Sequence, residues 1–428
     1  EYLLDNDTNH IASTIIDGEN KGYIMRWNNG TGSWNDTTTN QLVGLTMQNG
    51  SSGTSSYGGA LSVWSSTPLK ISNVRFLNNS STYGGAVRFQ GSARVTMDQV
   101  LFKDNSANYG GALYASTGYY IMNNVEFTGN ASNNSYAAMD LRVNSLASRN
   151  VNVHHNTALS NYVVRITFNS DATSNFTMRD WKVQNNTSTE RTMTLSNVPS
   201  GKKLLIENAL ITGNIVTQGY PGLNLYYSKG KISIVNSTIA NNTSVNYSTS
   251  GDGAAVVVQG SSNEPVVNIL NTIVQTDGSY SIYDPSNYSN TLNINNSFIS
   301  GGQSAIDLQT NTTLNYNSSN LATGLYFTDA ANGDYSLSST STLLGAGAVS
   351  ATLSSTLLNS PLSDALGLVR PNPAGTSPDI GAIESSDSTA QVGLVLSGVN
   401  NGFCQTVNGA ITANLLNYTG TATYAWSS

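Results

Sequence analysis

Short apolar–polar–apolar triplets punctuate the chain between Leu61 and Leu308. They are Leu61-Ser62-Val63, Val87-Arg88-Phe89, Leu113-Tyr114-Ala115, Met139-Asp140-Leu141, Val164-Arg165-Ile166, Met193-Thr194-Leu195, Leu223-Asn224-Leu225, Val256-Val257-Val258 and Ile306-Asp307-Leu308. Alternation with a period of two marks a β-strand, and it predicts flanking residues that point inward and a middle residue that points out to solvent. Helical spacing fits none of these segments.

The triplets belong to a longer repeat. Tyr-Gly-Gly-Ala followed by an apolar residue occurs at Tyr57 to Leu61, Tyr83 to Val87 and Tyr109 to Leu113, with the tyrosines 26 residues apart both times. A second motif, two apolar residues flanking one position and then Asn, runs through Val74-Arg75-Phe76-Leu77-Asn78-Asn79 and Val100-Leu101-Phe102-Lys103-Asp104-Asn105. It continues at Val125, Phe127 and Asn130, at Val151, Val153 and Asn156, at Trp181, Val183 and Asn186, at Ala209, Ile211 and Asn214, and at Ser237, Ile239 and Asn242, then weakens toward Asp277 and Gly302. Successive steps from Asn79 to Asn242 are 26, 25, 26, 30, 28 and 28 residues. A period this long, with its drift confined to the stretches between motifs, predicts one coil per repeat and an all-β fold, a right-handed parallel β-helix of about ten coils. With coils stacked ~4.8 Å apart, the rod is on the order of 50 Å long.

Each motif residue has a physical reason to recur. Paired glycines such as Gly84-Gly85 allow a positive φ or a close backbone approach at a corner. Asn tolerates the left-handed region, so Asn79, Asn105, Asn130, Asn156, Asn186, Asn214 and Asn242 are expected to sit in that conformation and to stack as a side-chain ladder. Tyr57, Tyr83 and Tyr109 form an aromatic column, either as lateral packing or as a platform for sugar stacking.

Composition agrees with a solenoid. Charged residues make up 10% of 428 and hydrophobic residues 38%, which suits stacked coils that hydrogen-bond small polar side chains around a thin apolar interior. The net charge of -7 argues against non-specific nucleic-acid binding, which requires a basic surface. The single Cys404 excludes a disulfide framework within the chain and a cysteine-based metal site. No apolar run approaches the ~18 residues of a membrane span. The start at Glu1-Tyr2-Leu3-Leu4 and the end at Tyr424-Ala425-Trp426-Ser427-Ser428 read as cuts inside a longer polypeptide.

Chemistry is sparse. Many β-helices cleave acidic polysaccharides, and that needs either carboxylates holding Ca²⁺ near a base or several aspartates around a sugar bond. No such cluster is visible, and Asp284-Pro285-Ser286-Asn287 is a poor match to an epimerase motif, so no catalytic residue, cofactor or metal ligand is expected. The best candidate ligand site is an outward column of Arg88, Tyr114, Asp140 and Arg165, with Arg142 two residues along from Asp140. Its plainest reading is an exposed Asp140–Arg165 ion pair with a lowered carboxyl pKa; the alternative is a patch for sugars or carboxylates. His154 and His155 fall at a turn, where solvated side chains are expected, and His10 stands alone. Ligand specificity is expected from the variable loops Ser244 to Asp252 and Tyr280 to Thr291. The frequent Asn-x-Ser/Thr triplets arise by chance in such a composition and do not establish glycosylation.

Gly84-Gly85-Ala86-Val87 after Phe76 to Asn79, and Gly110-Gly111-Ala112-Leu113 after Phe102 to Asn105, resemble the repeat of the polymorphic outer-membrane proteins. That resemblance implies a β-helical surface passenger, several of which are adhesins. Further on, Asp334-Tyr335-Ser336-Leu337, Ser341, Gly345-Ala346-Gly347, Asp364 with Gly367, Arg370-Pro371 and Asp379-Ile380-Gly381-Ala382-Ile383-Glu384 resemble, in that order, the closing segment of choice-of-anchor proteins secreted by Bacteroidota-type bacteria. This second resemblance implies type IX secretion. Physically, such a segment can cover the unpaired edge of the last coil and hold itself there through Arg370, Asp379 and Glu384. After a polar linker at Ser385 to Thr389, Val392-Gly393-Leu394-Val395-Leu396-Ser397 and Asn417 to Trp426 look like part of an immunoglobulin-like module.

The expected organisation is therefore β-helical coils over 1–330, a closing segment over 331–388 and a partial immunoglobulin-like module over 389–428. The expected role is a non-enzymatic adhesin or display scaffold on the outer face of a bacterial outer membrane, or secreted, with surface glycans or other cell-surface proteins as partners and no nucleic acid. The alternatives are a polysaccharide lyase or hydrolase and a subunit of an extracellular filament or coat.

Overall fold

The structure, a computed structural model, describes residues 11, 13–28, 39–53, 57–64, 67–172, 174–247, 251–260 and 265–385, with the backbone alone at 93, 393–398 and 411–416. The chain winds as a right-handed parallel β-solenoid of about ten turns with almost no helix. Its long sheet has 16 strands and runs from Ile15–Asp17 to Thr313–Tyr316, while an 11-stranded sheet runs from Met25–Asn28 to Ile306–Asp307. A 7-stranded sheet of short strands, Ser80–Tyr83 to Thr243–Asn246, closes the cross-section.

The triplets build the 11-stranded sheet. Met25, Leu61, Val87, Leu113, Met139, Val164, Met193, Leu223, Val256, Ile282 and Ile306 lie in one register, so that one inward position repeats on every coil. Opposite them, Phe76, Phe102 and Phe127 stack through the interior with ring centroids 5.1 and 4.6 Å apart. The middle residues do point outward, but Ser62, Asp140, Thr194, Asn224 and Val257 are buried rather than solvated. Long side chains from neighbouring positions cover this face, which period-two patterning does not register.

The asparagine column is a continuous ladder. From Asn79 to Asn214, each backbone N–H and each Nδ2 donates to the Oδ1 of the next asparagine at 2.8–3.1 Å. Every Nδ2, that of Asn242 included, also donates to a carbonyl of the preceding coil, such as Phe102 O from Asn130 at 3.0 Å. All seven side chains are buried, where unmet amide groups would be expensive. The left-handed conformation, however, belongs to the residue before each ladder asparagine. Asn78, Asp104, Gly129, His155, Asn185, Gly213 and Asn241 have φ between 51° and 65°. The ladder residue, itself not left-handed, turns its amide inward along the stack, and the preceding residue takes the sharp bend.

A second column of left-handed residues bends the long sheet at mid-strand. Asn73, Gln99, Asn124, Asn150, Asp180, Asn208, Asn236, Asn271 and Asn296 stand there with φ from 43° to 54°. In the later coils the next residue carries a hydroxyl ladder. Ser237 Oγ accepts from Ala209 N at 3.0 Å, Thr272 Oγ1 from Ser237 N at 3.3 Å, and Ser297 Oγ from Thr272 N at 3.1 Å. At the glycine corner, Gly84 has a φ of 64°, and a Cβ on Gly85 would lie 2.1 Å from Gly111 O.

The closing segment docks laterally on the rod. Beyond Leu321 it lies along the outer face of the long sheet over the later coils. Tyr335, Ala365, Ala382 and Ile383 pack on Leu210 and Ala240, Leu337, Leu343, Leu344 and Ile380 on Ile273 and Phe298, and Leu358 on Val235 and Leu270. These strands are apolar on both faces because both faces are covered. The mid-strand asparagines supply the polar contacts. Asn208 Nδ2 donates to Ser363 O (2.9 Å), Asn236 Nδ2 to Asp379 O (3.2 Å) and Asn296 Nδ2 to Ala346 O (3.1 Å), and Asn271 exchanges two bonds with Ala348 (2.7 and 2.8 Å). Arg370 is buried, donating to Glu384 Oε2 at 2.8 Å, Asn208 Oδ1 at 2.7 Å and Gly381 O at 3.1 Å. Burial, reinforced by the nearby Glu384, pushes the Asp379 carboxyl up to about 7.

Of the expected immunoglobulin-like module, the structure describes one antiparallel pair, Gly393–Gly398 with Ile411–Leu416. The rest of that module, with His10 and Cys404, lies outside the described residues. Among those residues no helix is long and apolar enough to cross a membrane.

Candidate functional site

The outer face of the 11-stranded sheet carries one column of register-matched residues: Arg26, Ser62, Arg88, Tyr114, Asp140, Arg165, Thr194 and Asn224. Arg88, Tyr114, Asp140 and Arg165 thus follow one another on consecutive coils. Arg165 grips Asp140 through two bonds, Nε to Oδ1 at 2.8 Å and Nη2 to Oδ2 at 2.7 Å. The expected exposed pair is a buried one, for Asp140 is only 2% accessible. Burial pushes its carboxyl up, against the pull of Arg165, in place of the expected lowering. The Arg165 guanidinium lies over the Tyr136 ring, which helps shut out water. Arg88 lies between Tyr83 and Tyr114, and burial lowers its pKa.

Beside this column opens a cleft of about 830 Å³. Its floor is formed by Arg165, Thr194 and Ser196, and one side by Tyr162 and Arg191. The other wall comes from the turns leaving the sheet, at Phe168 to Ser170, Asn197 to Ser200 and Tyr226 to Lys229, with Arg142 on the rim. Arg191 Nη1 donates to the Tyr162 hydroxyl at 2.8 Å, and its guanidinium lies 4.9, 5.4 and 5.5 Å from the rings of Tyr162, Tyr220 and Tyr226. This packing pre-orients the cation. Arg142 and Lys229 are exposed and have no hydrogen-bonded or ion-paired side-chain partner among the described residues.

Tyr227 marks the wall. The strand Tyr220–Ser228 shifts register between Tyr226 and Ser228, and the extra residue, Tyr227, has a φ of 49° while remaining 43% exposed. A bulky side chain in that region is strained, and such strain gathers at binding sites. Burial and the adjacent Tyr227 push the Tyr226 phenol up to about 12.

Of the residues singled out from sequence, Arg142 and Arg165 line this cleft, Asp140 lies beneath as the partner of Arg165, and Arg88 and Tyr114 occupy the same face two and one coils before Asp140. The ladder asparagines are interior and take no part. Tyr162, Arg191, Tyr226, Tyr227 and Lys229 were not singled out: Tyr162 and Arg191 each stand two residues before a triplet, in phase with its inward positions, so alternation gives no sign that they face the cleft. Among the described residues, none from the loops expected to give specificity lines the cleft. Asp284 is buried, accepting from Ser286, Asn290 and Thr312, and shapes its own turn.

His154 and His155 are more than solvated turn residues. His154 Nε2 lies 3.0 Å from Glu126 Oε1, its Nδ1 lies 2.8 Å from His155 Nδ1, and His155 is one of the left-handed corner residues. Tyr83 and Tyr109 stack at 5.0 Å, whereas Tyr57 meets Tyr23 edge-on at 5.3 Å. Among the described residues no group of three or more His, Cys, Asp or Glu side chains converges as a metal site.

Comparison of the chain with protein-family models, curated proteins and solved structures gave no match in any of the three.

Proposed function

We propose that this chain is a non-enzymatic binding scaffold, displayed on a cell surface or secreted, that captures an acidic sugar in the arginine–tyrosine cleft. One observation carries the reading. Four of the chain's 18 lysines and arginines, Arg142, Arg165, Arg191 and Lys229, line a single cleft of a protein with net charge -7. Planar guanidinium groups match carboxylates in a two-point fork, and the tyrosines offer flat faces and hydroxyls to a sugar ring. The adhesin role and the likeness to outer-membrane passengers are parts of the same proposal.

The test is a glycan array followed by calorimetry on the purified chain. Glycans bearing carboxylates bind and their neutral counterparts do not; Arg191→Ala and Tyr227→Ala each weaken binding about tenfold or more, with unchanged circular dichroism. Equal binding of neutral glycans, or unaltered affinity in both variants, defeats the proposal.

One observation favours a second reading. The Tyr162 hydroxyl held against Arg191 sets a proton-transfer group beside a carboxylate-binding cation, the pairing that β-elimination from a uronate requires. Appearance of unsaturated sugar products during the binding assay selects that reading over simple capture.

A further inference from the structure

The cleft is part of a longer face. Along the rod the same pairing recurs four times, a guanidinium lying on a tyrosine ring: Arg26 over Tyr57 at 4.5 Å, Arg88 over Tyr83 at 4.8 Å, Arg165 over Tyr136 at 4.1 Å and Arg191 over Tyr162 at 4.9 Å. Arg26, Arg88 and Arg165 share one column, and Arg191 belongs to the adjoining one with Tyr162. The carboxylate in the column between Arg26 and Arg165 is that of Asp140, and Arg165 neutralises it. Among the described residues this leaves Arg26, Arg88, Arg142 and Arg191 as uncompensated cations on four of seven consecutive strands of the 11-stranded sheet, from Met25–Asn28 to Arg191–Ser196.

From this geometry we infer that the ligand is an extended carboxylated polysaccharide lying parallel to the rod axis, held in the cleft and continuing over Arg88 toward Arg26. The inference rests on the acidic-sugar reading and adds the ligand's length and direction. In-register coils place equivalent positions every ~4.8 Å, close to the length of one pyranose in an extended chain, and Arg26, Arg88 and Arg165 stand two and three such steps apart. The cleft draws its walls from four successive strands, Met139–Val143, Tyr162–Phe168, Arg191–Ser196 and Tyr220–Ser228, so it extends roughly 14 Å along the axis and a single sugar fills only part of it. Arg88 is the second support. Its Nε and Nη1 are buried without a hydrogen-bond partner, and a buried cation of this kind gains from an anion placed over it. The planar fork fits carboxylate and phosphate alike; carboxylate follows from the acidic-sugar reading, and a phosphate polymer is the alternative that the test separates.

The test is calorimetry at low salt with oligogalacturonides from monomer to octamer, with neutral oligomers of matched length and oligothymidylate as controls. Affinity is expected to rise roughly 10²-fold from monomer to tetramer as neighbouring positions fill, and to rise again toward the octamer. In Arg88→Ala the octamer is expected to bind no better than the tetramer. Arg26→Gln, at an exposed position, reduces the same gain and serves should Arg88→Ala fold poorly. A monomer that binds as tightly as the octamer, or an octamer gain untouched in both variants, overturns the axial arrangement while leaving the acidic-sugar reading standing. Failure of every oligogalacturonide to bind defeats that reading itself, and oligothymidylate binding equal to the octamer shows a general polyanion surface and overturns the inference.

Discussion

Replacing Asn130 by alanine isolates the contribution of one rung of the ladder. Asn130 Oδ1 accepts from Asn105 N at 3.0 Å and Asn105 Nδ2 at 2.9 Å, while its Nδ2 donates to Phe102 O at 3.0 Å and Asn156 Oδ1 at 2.9 Å. The residue is 0% exposed, so water cannot replace these partners without opening the coil. Alanine leaves the Asn105 N–H without this acceptor and Phe102 O without this donor, at about 1–3 kcal/mol each, besides the space vacated by the amide. The expected loss is about 3–5 kcal/mol. Asn130→Asp keeps both acceptor roles but turns a carboxylate oxygen toward Phe102 O and Asn156 Oδ1. It is expected to be at least as damaging near neutral pH and to recover partly in acid, where the buried carboxyl binds a proton in the folded state and donates again. Asn124→Ala, at an exposed mid-strand bend with a φ of 53°, loses the left-handed preference, about 1 kcal/mol, and two exposed hydrogen bonds, to Asp98 Oδ1 at 3.1 Å and from Asn150 Nδ2 at 2.8 Å, whose partners water can reach. Urea unfolding of the three variants followed by far-ultraviolet circular dichroism measures the differences. A loss in Asn130→Ala below about 1 kcal/mol, or equal to that of Asn124→Ala, refutes a ladder that holds the coils together.

Two further outcomes follow from the corners and the closing segment. Gly85→Ala places a Cβ 2.1 Å from Gly111 O and 2.5 Å from Ser106 O, both backbone atoms, and is expected to lower stability by at least about 2 kcal/mol in the same assay; a neutral effect means that the corner yields freely. Asp379, raised to about 7 when folded against 3.8 ordinarily, binds a proton in the folded chain that the unfolded chain releases, so its share of stability rises as pH falls from about 8 to 5, by roughly 2–3 kcal/mol. The acid gain of the parent over Asp379→Asn in paired denaturations measures it, and absence of any difference contradicts a buried, disfavoured carboxylate.

The repeat was legible in the residues alone because a parallel solenoid writes its geometry directly into sequence. Each coil meets the next in register, so Val87, Leu113 and Met139 must all be apolar, and Asn79, Asn105 and Asn130 must all be able to donate and accept. The division of labour at the corner was not legible, since Asn78 and Asn79 are the same residue type and only backbone geometry separates the bend from the rung. Burial of Asp140 likewise depends on Arg165, which reaches across from the next coil beneath the Tyr136 ring, a contact no periodicity counts. The lateral docking of the closing segment and the convergence of Arg142, Arg165, Arg191 and Lys229 arise the same way. Local alternation and period determine which way a side chain leaves the backbone; what it meets there is decided by coils and turns far away in sequence, through side-chain length and the space left between neighbours.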